Sequence, residues 1–224
     1  MAEGLVTPRT FKFLRELAKN NRREWFNANK QRYIDEVRDP LLILVAQLGS
    51  PLAKISRLIV ADPRPIGGSL FRIYRDTRFA KDKSPYKTHA GLYFGARGEG
   101  MLGAGYYLHV EPRHVFMAAG LWHPDASRLK KIRDAIAAKP KAWQRVVRAV
   151  ELDESDDGRL KRPPQGYDPA HPFIEDLKRR SFTASTTLTE AQVCAADFPK
   201  RFIKACEQKV PLMEFLTTAV GMRW

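Results

Sequence analysis

The sequence contains little cysteine and no long hydrophobic run. Cys194 and Cys206 are the only cysteines among its 224 residues, and they form neither a Cys-x-x-Cys pair nor a zinc-like spacing. We therefore expect free thiols in a reducing compartment. The longest apolar run, Leu41 to Ala46, is far shorter than the roughly 20 residues that span a bilayer, and the N-terminal residues lack the pattern of a signal peptide. These features predict a cytoplasmic protein without a membrane partner.

The common signatures of nucleotide binding and covalent catalysis are also missing. The chain has no Walker pattern and no dinucleotide-binding fingerprint, which argues against a glycine-rich loop that binds phosphate. It has no Gly-x-Ser-x-Gly elbow, and neither cysteine has an evident thiolate-stabilising neighbour. Zinc-finger and RNA-recognition signatures are absent as well. The sequence therefore leaves open whether the protein is an enzyme.

Acidic residues are few in comparison with basic ones. The chain has 39 Lys and Arg against 25 Asp and Glu, a formal net charge of +14, and a pI near 10.0. Such an excess of positive charge favours polyanionic partners, either nucleic acid or an anionic membrane surface. The alternative is a basic protein whose charge affects only solubility and nonspecific binding.

The pattern of apolar residues predicts one α+β domain over residues 1–224. Residues 1–50 have a helical period: Thr7-Pro8 begins a first helix, and Asn21 with Glu24 resembles a capping box for a second. Residues 55–122 alternate with a period of two, which predicts a curved antiparallel sheet of about five strands. Residues 123–224 are predicted to be helical again, with a proline-rich loop at 161–172. The five predicted strands cover residues 57–62, 69–76, 88–96, 104–111 and 114–121.

Alternation along these strands assigns their side chains to two faces. The expected core face is apolar and carries Phe71, Ile73, Ala90, Leu92, Phe94, Tyr106, Leu108, Val110, Val115, Met117 and Leu121. The opposite face mixes aromatic and titratable groups: Arg72, Tyr74, Asp76, His89, Tyr93, Tyr107, His109, Glu111, Phe116 and Trp122. Such a mixture is typical of the lining of a ligand cleft. The alternative is a layer of helices over this face, admitted by Gly91, Gly95, Gly105 and Gly120; both hold if a cleft lies beside a helix.

The segment from Leu70 to Lys87 is the strongest candidate for a binding site in the sequence. It has two acidic residues, Asp76 and Asp82, between aromatic residues and six cations: Arg72, Arg75, Arg78, Lys81, Lys83 and Lys87. Arginine suits bidentate recognition of phosphate or carboxylate, so the segment is a candidate anion site. The alternative is an internal network in which these arginines pair with carboxylates. If the segment binds a ligand, we expect the ligand to be contacted by Arg72, Arg75, Asp76, Arg78, Lys83, Tyr86, Lys87, Tyr107, Trp122 and Arg162.

His109-x-Glu111 is the best candidate pair for acid–base or metal chemistry, because both side chains project from one strand face. His89 is expected on a neighbouring strand, and a set of two histidines and one glutamate suits zinc. A histidine on a strand is more often simply hydrogen-bonded, so we assign neither a metal nor a cofactor from the sequence. The candidate catalytic residues are His109, Glu111 and Asp76.

Several stretches together resemble a known family. The central motif is Arg72-x-x-Arg75-Asp76-x-Arg78-Phe79 followed by Asp82-Lys83-x-x-Tyr86-Lys87. Further matching stretches are Asn20-Asn21-Arg-x-Glu24-Trp25-Phe26, Gly105-Tyr106-Tyr107, Gly120-x-Trp122, Lys161-Arg162-Pro163 and Gly166-Tyr167. They resemble the bacterial domain-of-unknown-function family 2461 over most of the chain. The resemblance implies one coherent domain, and it implies no reaction, cofactor or catalytic residue.

Three functions are compatible with these observations. The first is a site that binds a phosphate-bearing ligand, either a nucleotide or nucleic acid, through the cations beside an aromatic-lined sheet face. The second is an enzyme that acts on a phosphoester or a small anion, with His109 or Glu111 as the base and Asp76 as the orienting group. The third is an interaction module that docks an acidic protein. The sequence does not predict the oligomeric state.

Overall fold

The first helix begins where its sequence predicts. In the computed structural model, which describes residues 4–96, 103–154 and 158–224, the hydroxyl of Thr7 accepts a hydrogen bond from the backbone N–H of Arg9, and Pro8 occupies the first helical turn. Phe11, Leu14 and Leu17 are fully buried on one face. The amphipathic period therefore directs this helix into the core.

Helices occupy both ends of the chain and surround a central sheet. The N-terminal helices are α1 (Pro8–Lys19), α2 (Arg23–Ala28), α3 (Lys30–Tyr33) and α4 (Asp39–Ile55), with a π-helical turn (Ile34–Arg38) before α4. The later helices are α5 (Ala126–Ala138), α6 (Pro140–Ala149), α7 (Ile174–Leu177), α8 (Glu190–Cys194), α9 (Phe198–Gln208) and α10 (Val210–Ala219). The strands are β1 (Ala90–Gly95), β2 (Gly105–Glu111), β3 (His114–Leu121) and β4 (Phe182–Leu188). None of the described helices is both long and apolar enough to cross a membrane.

The sheet of the described residues has four antiparallel strands in the order β1-β2-β3-β4, not about five. The predictions at 88–96, 104–111 and 114–121 correspond to β1, β2 and β3. The predictions at 57–62 and 69–76 are wrong as strands, because those segments form only isolated bridges. Strand β4 lies in the region predicted to be helical, and it pairs along its whole length with β3. Residues 97–102, between the predicted strands at 88–96 and 104–111, lie outside the described residues.

Helices cover one face of the sheet. The ring of Phe94 on β1 packs 5.7 Å from that of Phe202 on α9, and the hydroxyl of Tyr106 on β2 donates to the backbone carbonyl of Cys206 on the same helix. The fully buried residues of this face are Leu92, Phe94, Tyr106, Leu108, Val110 and Met117. The predicted core face is therefore correct for β1 to β3, and the protein is a single α+β domain.

The prediction that Phe71 belongs to the core face is wrong. Its ring lies 6.4 Å from that of Tyr93 and 6.1 Å from that of Tyr107, on the opposite face of the sheet. Ile73, two residues later, is buried in the core as predicted. Because residues 69–76 do not form a continuous strand, their side chains do not alternate regularly between the two faces of the sheet.

Candidate functional site

The face of the sheet opposite α9 carries a cleft of about 720 Å³. Tyr93, Tyr107, His109 and Phe116 project into it from β1, β2 and β3. Its remaining lining residues are Phe71, His89, Gly103, Gly105, Ala118, Ala119, Gly120, Trp122, Asp153, Glu154, Thr183 and Ser185. Of the two alternatives for this face, the structure has the cleft.

The strand register explains the shape of the cleft. In one row across the sheet, Tyr93, Tyr107, Ala118 and Ser185 are direct neighbours. The next row contains three glycines, Gly95, Gly105 and Gly120. A Cβ on Gly105 would overlap the ring of Tyr93, whose hydroxyl donates to the carbonyl of Gly103 at 2.7 Å. The missing side chains therefore leave room for the tyrosine to lie along the floor of the cleft.

A bulge places His89 at the end of the cleft. The N–H of Phe71 donates to the carbonyl of Gly91, and the N–H of Lys87 donates to the carbonyl of Ile73. Between these two bonds, the three residues 88–90 lie opposite the single residue Arg72. Bulges beside binding sites commonly redirect side chains, and here the ring of His89 lies 4.4 Å from that of His109.

His89, His109 and Glu111 form a compact cluster. The two imidazole rings lie 4.4 Å apart between centroids, and Nε2 of His109 is 3.2 Å from Oε2 of Glu111. The other ring nitrogen, Nδ1, is 3.0 Å from the hydroxyl of Tyr107. Thr88 donates to Oε1 of Glu111 at 2.9 Å. Every polar atom of the His109–Glu111 pair therefore has a fixed neighbour.

The electrostatics of this cluster favour neutral histidines and an ionised glutamate. Burial lowers the pKa of His89 to about 4, and the positive charges of Lys87 and Arg75 contribute to the shift. Burial also lowers the pKa of His109, although its hydrogen bond to Glu111 opposes this effect. For Glu111, burial acts to raise the pKa, but hydrogen bonds from His109 and Thr88 outweigh it, so that the pKa is lowered. At neutral pH, His109 therefore donates from Nε2 to the carboxylate and accepts at Nδ1 from Tyr107.

The cations of the 72–87 segment are divided between two environments. In the loop, Arg75 pairs with Asp82, and Arg78 pairs with Asp76 at 2.7 Å. Lys83 donates to the backbone carbonyl of Thr77 at 2.9 Å. This part of the segment matches the expected internal network.

Lys87 and Arg72 lie in the second environment, next to Phe71, whose ring lines the cleft. The ammonium group of Lys87 is 5.4 Å from the centre of the Phe71 ring. Burial lowers the pKa of Lys87, and the positive charge of Arg72 adds to the shift. Among the described residues, no carboxylate lies within ion-pair distance of either cation. Two cations therefore stand close together beside Phe71, a residue of the cleft lining. Neither forms an ion pair among the described residues, although Arg72 lies within electrostatic range of Asp76.

The structure does not bring all the expected site residues together. Tyr107 and Trp122 line the cleft, and Trp122 is 65% exposed. Tyr86 is only 3% exposed and stacks on Phe26 at 4.1 Å between ring centroids. The seven others also lie outside the cleft lining: Arg72, Arg75, Asp76, Arg78, Lys83, Lys87 and Arg162.

The sequence reasoning missed the far wall of the cleft. Asp153 accepts hydrogen bonds from the backbone N–H and the hydroxyl of Ser185 on β4, at 2.8 and 2.7 Å. Glu154 and Thr183 complete this wall. The threonine-rich composition of 182–188, which favours a strand, was a signal that would have revealed β4. The acidic stretch of sequence that begins at Asp153 continues into residues 155–157, which lie outside the described residues.

Comparison with known proteins gives a family and no activity. A family model described as "Conserved hypothetical protein (DUF2461)" matches residues 9–215. The chain therefore belongs to this family, as its motifs predicted, and the matched residues include all four strands and the cleft lining. Neither the curated proteins nor the solved structures gave a match.

Proposed function

We propose that this DUF2461 chain binds a phosphate-bearing ligand in the cleft, with a nucleotide as the ligand class. The observation that carries the proposal is the pair of cations Lys87 and Arg72, which form no ion pair among the described residues and lie beside Phe71 in the lining of an aromatic cavity. The phosphate would lie at these cations, and the base would lie among the rings.

The cavity has the size and lining of a small-molecule site. Its volume of about 720 Å³ falls within the range of roughly 300–1,000 Å³ that is usual for ligand pockets. Tyr93, Tyr107, Phe116 and Trp122 supply aromatic surface. Stacking of a base on an aromatic side chain contributes about 1–3 kcal/mol.

The charges favour an anion beside this cavity, next to Phe71. Lys87 is half-buried, and its pKa is lowered because burial and Arg72 both oppose its positive charge. A phosphate group placed between the two cations would relieve this repulsion and form charge-assisted hydrogen bonds. Arginine would provide two parallel donors and lysine a point charge.

The loop cations offer a way to distinguish a nucleotide from nucleic acid. Arg75, Arg78 and Lys83 make exposed contacts within the loop, and exposed ion pairs contribute only about 0–1 kcal/mol. A longer polyanion would exchange these pairs for phosphate contacts at little cost. A mononucleotide in the cleft would leave them intact.

Binding of 5′-AMP and of a fluorescein-labelled oligothymidine to the Arg72→Ala/Lys87→Ala double variant tests the proposal. We expect the affinity for 5′-AMP to fall at least about tenfold and its salt dependence to flatten, because two phosphate contacts are lost. The matched control is Lys12→Ala/Lys141→Ala, which removes two exposed lysines on α1 and α6. Unchanged binding in a folded Arg72→Ala/Lys87→Ala variant would contradict the proposal.

The His109–Glu111 pair favours a second candidate function, an enzyme that acts on a phosphoester. His109 or Glu111 would be the base, and Tyr107, which lies 3.0 Å from Nδ1, would hold the imidazole in place. Asp76, which the sequence suggested as the orienting group, pairs with Arg78 outside the cleft lining. Hydrolysis of bis(p-nitrophenyl) phosphate by the wild type, lost in Glu111→Gln while binding of 5′-AMP persists, would support this function. An inert wild-type protein would exclude this substrate.

A further inference from the structure

Three of the five histidines of the chain surround one carboxylate, Glu111. Ligand atoms of His89, His109 and Glu111 all lie within 4.8 Å of one another. Nδ1 of a third histidine, His114, is 3.6 Å from Oε2 of Glu111. We propose that this cluster binds one first-row divalent transition-metal ion, with zinc as the best fit to its donor set.

The donor types and their spacing fit such an ion. Zinc takes imidazole nitrogens and carboxylate oxygens at about 2.0–2.2 Å, so two donors on one tetrahedral ion lie about 3.3 Å apart. The distance of 3.2 Å between Nε2 of His109 and Oε2 of Glu111 already matches this value. The ring of His89, 4.4 Å from that of His109 between centroids, is close enough for a small side-chain rotation to bring its nitrogen to the same ion.

The groups that hydrogen-bond the proposed ligands also fit a metal site. A histidine that binds a metal usually donates its second N–H to a neighbouring acceptor, which fixes the ring. With the ion on Nε2 of His109, the proton would move to Nδ1 and point at the hydroxyl oxygen of Tyr107, 3.0 Å away. Thr88 holds Oε1 of Glu111 and leaves Oε2 directed at the histidines.

The backbone fixes this arrangement. His109 lies within β2, where its direct neighbours are Gly91 on β1 and Phe116 on β3. A Cβ on Gly91 would lie 2.7 Å from the hydroxyl of Tyr107, so only glycine at this position leaves the tyrosine free to reach His109. Ligands on strands of a sheet are positioned more rigidly than ligands on loops.

The cluster has the form of an open metal site. Three protein ligands leave one position of a tetrahedral ion for water or a bound ligand, as in catalytic zinc sites. That position would face the cleft or the exposed ring of His114. The positive charges of Lys87 and Arg75 lie within electrostatic range of His89 and would repel the metal ion. An anion bound near these charges would offset the repulsion, so the metal ion would bind more tightly together with an anion than alone. The metal site does not depend on the proposed nucleotide function, because the ion can be measured without any organic ligand.

Metal titration of the full chain, stripped with a chelator, tests the proposal. Co²⁺ is added in the absence of phosphate and followed by its visible absorption, and Zn²⁺ is then used to displace it. We expect one ion per chain and an absorption spectrum typical of tetrahedral cobalt. A stripped wild-type chain that binds neither ion would overturn the inference.

Variants locate the ion. Loss of a group that hydrogen-bonds a metal ligand typically weakens metal binding at least about tenfold. Tyr107→Phe should therefore weaken binding about tenfold. Glu111→Gln and His89→Ala, which alter the ligands themselves, should each weaken it by at least that factor. The matched controls are His171→Ala, outside the cluster, and Cys194→Ser, which removes the more exposed thiol; both should bind as the wild type does. Neither Glu111→Gln nor His89→Ala alters a fully buried residue, and circular dichroism verifies folding. Unchanged affinity in these folded variants, or loss of the ion in Cys194→Ser, would place the metal elsewhere and overturn the proposal.

Discussion

The side-chain amide of Asn21 pairs with both backbone groups of Tyr86. Its Nδ2 donates to the carbonyl of Tyr86 at 2.9 Å, and its Oδ1 accepts from the N–H of Tyr86 at 3.1 Å. The ring of Tyr86 stacks on Phe26, five residues after the asparagine. Two segments that lie 65 residues apart are thereby joined, and the end of the cationic loop is attached to the N-terminal helices.

Replacement of Asn21 by Ala should destabilise the fold. The variant loses two hydrogen bonds and leaves the backbone groups of the buried Tyr86 without partners, so we expect the free energy of unfolding to fall by about 1–3 kcal/mol. Urea denaturation followed by circular dichroism measures this change. Asn27→Ala, on the exposed side of α2, is the control and should leave the stability unchanged or slightly higher, since Ala is the better helix former. Equal effects of the two substitutions would show that the Asn21–Tyr86 pair contributes nothing.

Gly105→Ala should damage the cleft and the fold together. The new Cβ overlaps the ring of Tyr93, so the ring must turn into the cleft and its hydrogen bond to the carbonyl of Gly103 breaks. We expect a loss of about 1–3 kcal/mol of stability and weaker binding of 5′-AMP.

Gly49→Ala is the matched glycine control. Gly49 lies within α4, and a Cβ there meets only the side chain of Ala61 at 3.9 Å. This substitution should stabilise the protein by about 0.5–1 kcal/mol. Thermal denaturation distinguishes the two variants, and a Gly105→Ala variant as stable as Gly49→Ala would contradict the role of the glycine row.

Trp122→Ala should weaken ligand binding and leave stability nearly unchanged. The side chain is 65% exposed at the rim of the cleft, so its loss costs the core little. Loss of one base-stacking contact of about 1–3 kcal/mol corresponds to a roughly 5- to 150-fold fall in affinity for 5′-AMP, measured by calorimetry. Phe79→Ala, an aromatic residue 95% exposed in the loop, should not affect 5′-AMP. If Phe79→Ala instead weakens binding of oligothymidine, the ligand extends from the cleft over the loop.

Lys87→Ala should change the two proposed affinities in opposite directions. Removal of one positive charge near the cleft should weaken binding of 5′-AMP and tighten binding of Co²⁺ by roughly three- to tenfold, because one such interaction is worth about 1 kcal/mol in a solvated site. Lys87→Arg keeps the charge and should resemble the wild type in both titrations. Changes of the same sign in Lys87→Ala would mean that the substitution acts through the shape of the cleft and not through charge.

Several features of the fold were predictable because they depend on local sequence. The cap at Thr7, the period of two that indicates β1, β2 and β3, and the two faces of those strands all follow from backbone geometry within a few residues. The family motif likewise lies in consecutive residues. The proposed pairing of Asn21 with Glu24 as a capping box was wrong because the asparagine is used for Tyr86, a partner distant in sequence.

The sequence by itself determined that the chain forms an α+β domain with one aromatic and titratable sheet face and a cationic segment beside it. Only the tertiary structure decided that β4 is the fourth strand of the sheet. It also decided that a bulge brings His89 next to His109. Finally, it separated Lys87 and Arg72 from the loop cations that form ion pairs. The physical reason is that periodicity and capping are set by neighbouring residues, whereas strand pairing, bulges and charge environments arise from contacts between segments far apart in the chain.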